Sequence, residues 1–128
     1  MTMECTVRQV EDVTILDLAG RLSLGEALGL RPGRNLPLSE AVQELASEGH
    51  KKILLNLAGV KYVDSSGVGQ LVGTLTSARG QGVELKLFNP TKQVLDLLKM
   101  TKLLAVFDVR ESEAAAIAAF SRTATAEV

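Results

Sequence analysis

The stretch Ile53-Leu54-Leu55-Asn56-Leu57 restricts the fold of this chain more than any other. Successive side chains of a strand point to opposite faces. A strand that is apolar at both parities must therefore be covered on both sides, as in the interior of an α/β sheet. Parallel neighbours in such a sheet need crossover connections, usually helices. The run thus predicts strands alternating with helices.

The rest of the chain carries that alternation. Residues Cys5 to Val10 alternate loosely, and Val13 to Leu18 are rich in β-branched and apolar side chains. With only Glu11-Asp12 between them, these two strands predict an antiparallel hairpin, ended by Ala19-Gly20-Arg21-Leu22. Ser39 reads as the N-cap of a helix with Val42, Leu45 and Ala46 inward and Gly49 as its stop. Val68, Leu71, Val72, Leu75 and Ala78 recur at helical spacing, closed by Gly80 and Gly82. Val83 to Phe88 alternate as a strand. Asn89 reads as a cap with Pro90 at the first helical position, ahead of Val94, Leu97 and Leu98. Ala105 to Val109 read as the last strand. Glu111-Ser112-Glu113 opens a terminal helix over Ala114, Ile117, Ala118 and Phe120.

This order predicts an α/β fold: a mixed, mostly parallel sheet with an N-terminal antiparallel hairpin and helices mainly on one side. The 128 residues make one domain, 1–128, with an ordered core of about 3–121 and a fraying tail at 123–128. Between Ser23 and Leu38 the pattern breaks. Gly25, Gly29, Pro32, Gly33 and Pro37 interrupt it, and Leu30 to Pro37 read as an exposed loop. Leu24, Leu28, Leu30, Leu36 and Leu38 imply that part of the segment packs. Arg31 and Arg34 flank its Pro-Gly, either as solvated loop residues or as an anion-binding pair.

Composition removes several function classes. A net charge of −1 leaves no electrostatic footprint for nucleic acid or an anionic membrane. Aromatics at 3% without Trp leave no base-stacking platform. One His and one Cys are too few for a His/Cys zinc site or a disulfide framework. Cys5 reads as a small core residue or strand filler. His50, between Gly49 and Lys51, reads as a solvated turn residue, and no Gly-x-Ser-x-Gly elbow accompanies it. No cofactor or metal is expected, and neither is an enzyme. No apolar run is long enough to span a bilayer and no signal-peptide pattern opens the chain, so a cytoplasmic protein is expected.

One polar cluster remains: Tyr62-Val63-Asp64-Ser65-Ser66-Gly67-Val68-Gly69, where the apolar strand gives way to a helix. Small polar residues at a helix start expose backbone N–H groups at the positive end of the dipole, which suits an anion. The same residues are ordinary N-caps. An arbitrary Asp-Ser-Ser-Gly is better read as plain capping, so the context decides.

That context resembles the STAS domain and, within it, the bacterial anti-sigma factor antagonists. The resemblance is carried by Leu18-Ala19-Gly20-Arg21-Leu22, His50 to Leu57, Val63-Asp64-Ser65-Ser66-Gly67-Val68-Gly69, Leu85 to Pro90, Val94 to Leu98 and Phe107. It implies a binding module phosphorylated on the serine after the aspartate by a partner anti-sigma factor with serine kinase activity. The unphosphorylated form binds that partner and frees the sigma factor, and a protein phosphatase restores it. The implied acceptor is Ser65, flanked by Asp64, Ser66, Gly67 and Gly69. The alternative implied by the same resemblance is a STAS scaffold or transporter-associated subunit that binds a protein without phosphorylation. Two departures bear on the partner. The family often has an acidic residue after Gly-x-Leu, where this chain has Ser23, and the Gly25–Pro37 segment is longer than usual. Both are expected at the Ser65 end of the fold, which makes Ser23, Arg31 and Arg34 the expected partner surface. A third departure, Thr101-Lys102-Leu103 in place of Thr-Gly-Leu, requires Lys102 to turn left-handed or the helix to end differently.

Overall fold

Strands β1 (Thr2–Val10) and β2 (Val13–Leu22) form the expected hairpin, in register from Glu4 opposite Ala19 to Val10 opposite Val13. The computed structural model describes residues 2–23, 27–31, 33–103, 107 and 109–120. After the hairpin come β3 (Ala27–Arg31), β4 (Arg34–Leu36), α1 (Leu38–Ser47), β5 (Lys52–Val63) and α2 (Ser65–Gly80). The chain continues with β6 (Glu84–Phe88), α3 (Lys92–Met100), β7 (Val109–Arg110) and α4 (Glu113–Ala119). One sheet holds all seven strands in the order β4-β3-β1-β2-β5-β6-β7. Strands β2, β5, β6 and β7 are mutually parallel, and β1 runs against β2.

Alternation divides the core. Leu16, Leu18, Ile53, Leu55, Leu57, Leu85 and Leu87 face one side, with Leu38, Val42 and Leu45 of α1, Val68, Leu71 and Leu75 of α2, and Val94 and Leu98 of α3. Val13, Ile15, Leu54 and Phe88 face the other, with Ala116 of α4 and Phe120 beyond it. Three helices thus cover one face and one short helix covers part of the other. Each apolar side chain so buried stabilises the fold by roughly 1.5–3 kcal/mol. Arg8 ties α4 to the hairpin, with Nε donating to Asp17 Oδ2 at 2.7 Å and Nη2 to Glu113 Oε1 at 2.5 Å. Asn56 Nδ2 donates to Asp17 Oδ1 at 2.7 Å. Burial works to raise the Asp17 carboxyl, but the hydrogen bonds from Arg8 and Asn56 outweigh it and hold the group below its ordinary value. Cys5 packs against the larger core, where burial, then the charge of Asp17, pushes its thiol up to about 11.

The structure corrects four local expectations. Residues 30–37 are not a loop: β3 and β4 form an antiparallel pair, and β3 adds to the edge of β1 in parallel, Thr2 opposite Ala27 and Met3 opposite Leu28. The breakers fall where edge strands tolerate them, Gly33 at the turn and Pro37 after β4, while Leu28 is buried and Leu36 packs on the core. Helix α1 begins at Leu38 with Pro37 in the N-cap position and no side-chain cap, so Ser39 lies inside it. The fully buried Leu38 draws the first turn inward. Asn89 is not the cap of α3. It adopts φ +55° and its N–H donates to Arg110 O at 2.9 Å, while Thr91 caps the helix. Strand β5 continues past Leu57 to Val63, because two bulges carry it on after the apolar run ends. Lys102 takes the left-handed conformation, φ +61°. Of the expected last strand, residues 105, 106 and 108 lie outside the described residues, as do the 123–128 tail and residues 24–26 and 32 of the Gly-rich segment.

Candidate functional site at the start of helix α2

Parallel strands β2 and β5 end together, Leu22 opposite Val63, and α2 begins two residues after Val63. The turn is made by Asp64, whose backbone is extended (φ −105°, ψ −175°) and whose side chain accepts the Gly67 N–H at 2.9 Å. Ser66 Oγ donates to the same Oδ1 at 2.6 Å. The Ser66 hydroxyl and then the Gly67 N–H hold the Asp64 carboxyl below the usual carboxylate value. It is therefore an anion across the physiological range. Ser65 is the first helical residue and is exposed, whereas Asp64 and Ser66 are half-buried.

Gly67 seats this turn on the sheet. A Cβ built there would lie 2.0 Å from Leu22 O and 2.8 Å from the Leu22 carbonyl carbon, both backbone atoms. Only a residue without a side chain lets the helix approach β2 so closely. One helical turn after Ser65, Gly69 is exposed and a Cβ there would meet nothing. Gly67 thus has a packing reason and Gly69 has none among the described residues. The opposite stripe of α2, through Val68, Leu71, Leu75 and Ala78, is buried.

Ser23 reaches this end of the molecule, where Gln70 Nε2 donates to its carbonyl at 2.7 Å. Gln70 Oε1 is buried and makes no hydrogen bond among the described residues. Arg31 and Arg34 are placed elsewhere. Strand β3 runs parallel to β1, away from the sheet end that carries Leu22 and Val63, so the turn between Arg31 and Arg34 points away from Asp64. Asp64, Ser65, Ser66, Gly67, Gly69 and Ser23 are brought together, and the two arginines are not. Sequence reasoning missed Gln70, which lies on the polar flank of α2, and Arg21, whose guanidinium carbon sits 4.5 Å from the centroid of the Tyr62 ring. Neither contact leaves a local signal, since each needs the register of β2 against β5 or α2.

Comparison with known proteins agrees with this fold. The STAS domain model matches residues 4–116. The Anti-sigma-B factor antagonist of Bacillus subtilis (strain 168) is 30% identical over 109 residues, covering 85% of this chain and 92% of that protein. A structure of a putative anti-sigma factor antagonist from Thermotoga maritima superposes with TM-score 0.71 at 24% identity, covering 88% of this chain and 91% of that one. The unphosphorylated form of the anti-sigma factor antagonist SpoIIAA superposes with TM-score 0.61 at 19% identity, over 88% and 92%. Among the described residues no helix is long and apolar enough to cross a membrane. Sheet order, the turn at Asp64 and the match over residues 4–116 lead to one conclusion: this chain belongs to the STAS domain family.

Proposed function

We propose that the chain is an anti-sigma factor antagonist controlled by phosphorylation of Ser65. The observation that carries this reading is the exposure of the Ser65 side chain at the first position of α2, beside an aspartate already engaged by its neighbours. The naming of the Bacillus subtilis relative as an Anti-sigma-B factor antagonist supports the class of partner. The chain acts as a cytoplasmic binding module. The kinase activity belongs to the anti-sigma factor it binds, and a phosphatase resets it. In the forward step Ser65 Oγ attacks the γ-phosphorus of ATP on the kinase. The bond to the bridging oxygen breaks, ADP leaves, and the hydroxyl proton passes to a base of the kinase. In the reverse step the phosphatase uses water to return the serine and free phosphate.

The fold tolerates the product while the interface does not. A phosphoserine adds about −1.5 to −2 charge. The N-terminus of α2 offers a dipole interaction of up to ~2 kcal/mol in a favourable partly buried geometry. Repulsion from Asp64 is weakened by solvent and salt at so open a position. A partner closing over the phosphate would bury an unpaired charge, at a cost of several kcal/mol. Binding therefore weakens by roughly two to three orders of magnitude. Mass spectrometry after incubation with the cognate kinase and ATP tests the assignment. Phosphate is expected on Ser65. Ser65→Ala is expected to remain unmodified and permanently able to bind. Phosphate on Ser66 alone, or none from a kinase that binds the chain, rejects the reading.

A further inference from the structure

The second bulge of β5 brings two cations to the same end of the sheet. Gly20 pairs with Val60 but Arg21 pairs with Tyr62, which leaves Lys61 as the extra residue and sets Tyr62 opposite Arg21. The Arg21 guanidinium then lies over the Tyr62 ring. Both Arg21 and Lys61 are exposed, and neither makes an ion pair among the described residues. Arg8, Lys52 and Lys92, by contrast, are engaged, with Asp17 and Glu113, with Asp12 and with Asp96 respectively.

Stacking on an aromatic ring restrains a guanidinium without using its N–H groups. Those groups form a planar fork that matches a carboxylate. The position of this fork matters as much as its chemistry. Tyr62 is three residues from Ser65, a chain span of roughly 11 Å at most. A standard protein interface takes about 800 Å² from each partner, a patch roughly 30 Å across. A partner seated over Ser65 whose footprint runs past the end of the sheet onto its other face meets Arg21, next to Leu22, and Lys61, four residues before Ser65.

We propose that Arg21, held on Tyr62 and flanked by Lys61, receives a carboxylate from an acidic patch on the protein that docks at Ser65. This rests on the reading of Ser65 as the docking site, and it adds the chemistry of the partner's facing surface. Arg21 and Lys61, rather than Arg31 and Arg34, are then the cations that select the partner. Charges of this kind set association rate, salt dependence and discrimination between partners.

The test measures binding of the unphosphorylated chain to the purified anti-sigma factor kinase, without ATP, at low and high salt. Arg21→Ala is expected to weaken binding about tenfold and Arg21→Glu about a hundredfold at low salt, both with a shallower salt dependence. Tyr62→Leu, which keeps the cation and frees it, is expected to lose about threefold. Lys61→Glu gives a second reading of the same surface should Arg21→Glu fold poorly, and thermal unfolding reports the fold of each variant. Wild-type affinity and salt dependence in folded Arg21→Glu or Lys61→Glu would overturn the proposal, even with Ser65 phosphorylated normally. If no such kinase binds the wild-type chain, the Ser65 reading falls and this inference with it.

Discussion

Helices α2 and α3 begin in similar ways and end up with opposite characters. Each follows a parallel strand of the sheet, and each is capped by a polar side chain accepting the N–H three residues on: Asp64 from Gly67 at 2.9 Å, Thr91 from Val94 at 3.5 Å. In α3 the cap also turns inward, with Thr91 Oγ1 donating to Val60 O at 3.1 Å. Its hydroxyl is used on both sides and serves to tie the helix to β5. In α2 the cap is a carboxylate without a proton to give inward, and the hydroxyl of the next residue, Ser65, is exposed. The same capping chemistry makes one junction structural and leaves the other with a serine hydroxyl facing solvent. The difference lies in where the hydroxyl sits relative to the cap, not in whether one is present.

The sharpest way to break the comparison is to remove the contact that only α2 has. Gly67→Ala places a methyl 2.0 Å from a backbone oxygen that can move only with β2. The expected loss is about 3 kcal/mol in urea unfolding, at the upper end for overpacked sites. Gly69→Ala is its control. In the same helix, with open space around it, the change is expected to be neutral or to stabilise by about 0.5–1 kcal/mol. Equal effects at the two glycines would mean that α2 is not seated on Leu22 as described.

A smaller effect is expected at the α3 cap. Thr91→Ala removes the helix cap and the tether to Val60, and should cost about 1–2 kcal/mol. Phosphorylation by the proposed kinase should be unchanged, because the proposed acceptor, Ser65, lies on the other helix. A Thr91→Ala protein that folds but is no longer phosphorylated would show that the two junctions are coupled.

The smallest expected effect is in acid. The Ser66 hydroxyl and the Gly67 N–H hold the Asp64 carboxyl below its ordinary value of 3.8. A carboxyl lowered in the folded state contributes stability that is present above its unfolded value and is lost as pH falls through its folded one. Asp64→Asn still caps α2 but does not titrate. Its unfolding curve should therefore fall less steeply than that of the wild type below about pH 4. Matching acid limbs would place no stabilised anion at Asp64.

Much of this was legible in the sequence wherever one element decides its own structure. The hairpin at β1 and β2 and the start of α2 at Ser65-Ser66 follow from local pattern and turn chemistry, whereas at Lys102 the resemblance left two ways to end the helix and the structure takes the left-handed one. What escaped depends on neighbours. β5 reads as five residues because its apolar run ends at Leu57, and only pairing with β2 reveals the bulges that carry it to Val63. Asn89-Pro90 has the composition of a helix start, but the Asn89 N–H is claimed by Arg110 from a strand twenty residues away in the chain. At the site, Ser65 and its flanking residues were visible as a motif. Arg21 was visible only as part of a family resemblance, since its stacking on Tyr62 is a property of the register.

The β3–β4 pair, read from sequence as an exposed loop from Leu30 on, forms the margin of the sheet, with β3 beside β1 and β4 outermost. An uncovered strand margin of that length is a template on which other chains can add. Trimming residues 31–36 to simplify the protein would remove β4 and leave the outer edge of β3 bare. The first symptom would then be self-association during expression and concentration, ahead of any change in recognition. For this fold the segment is a solubility element, and a shortened form would need charged or proline substitutions along β3 to take over its duty.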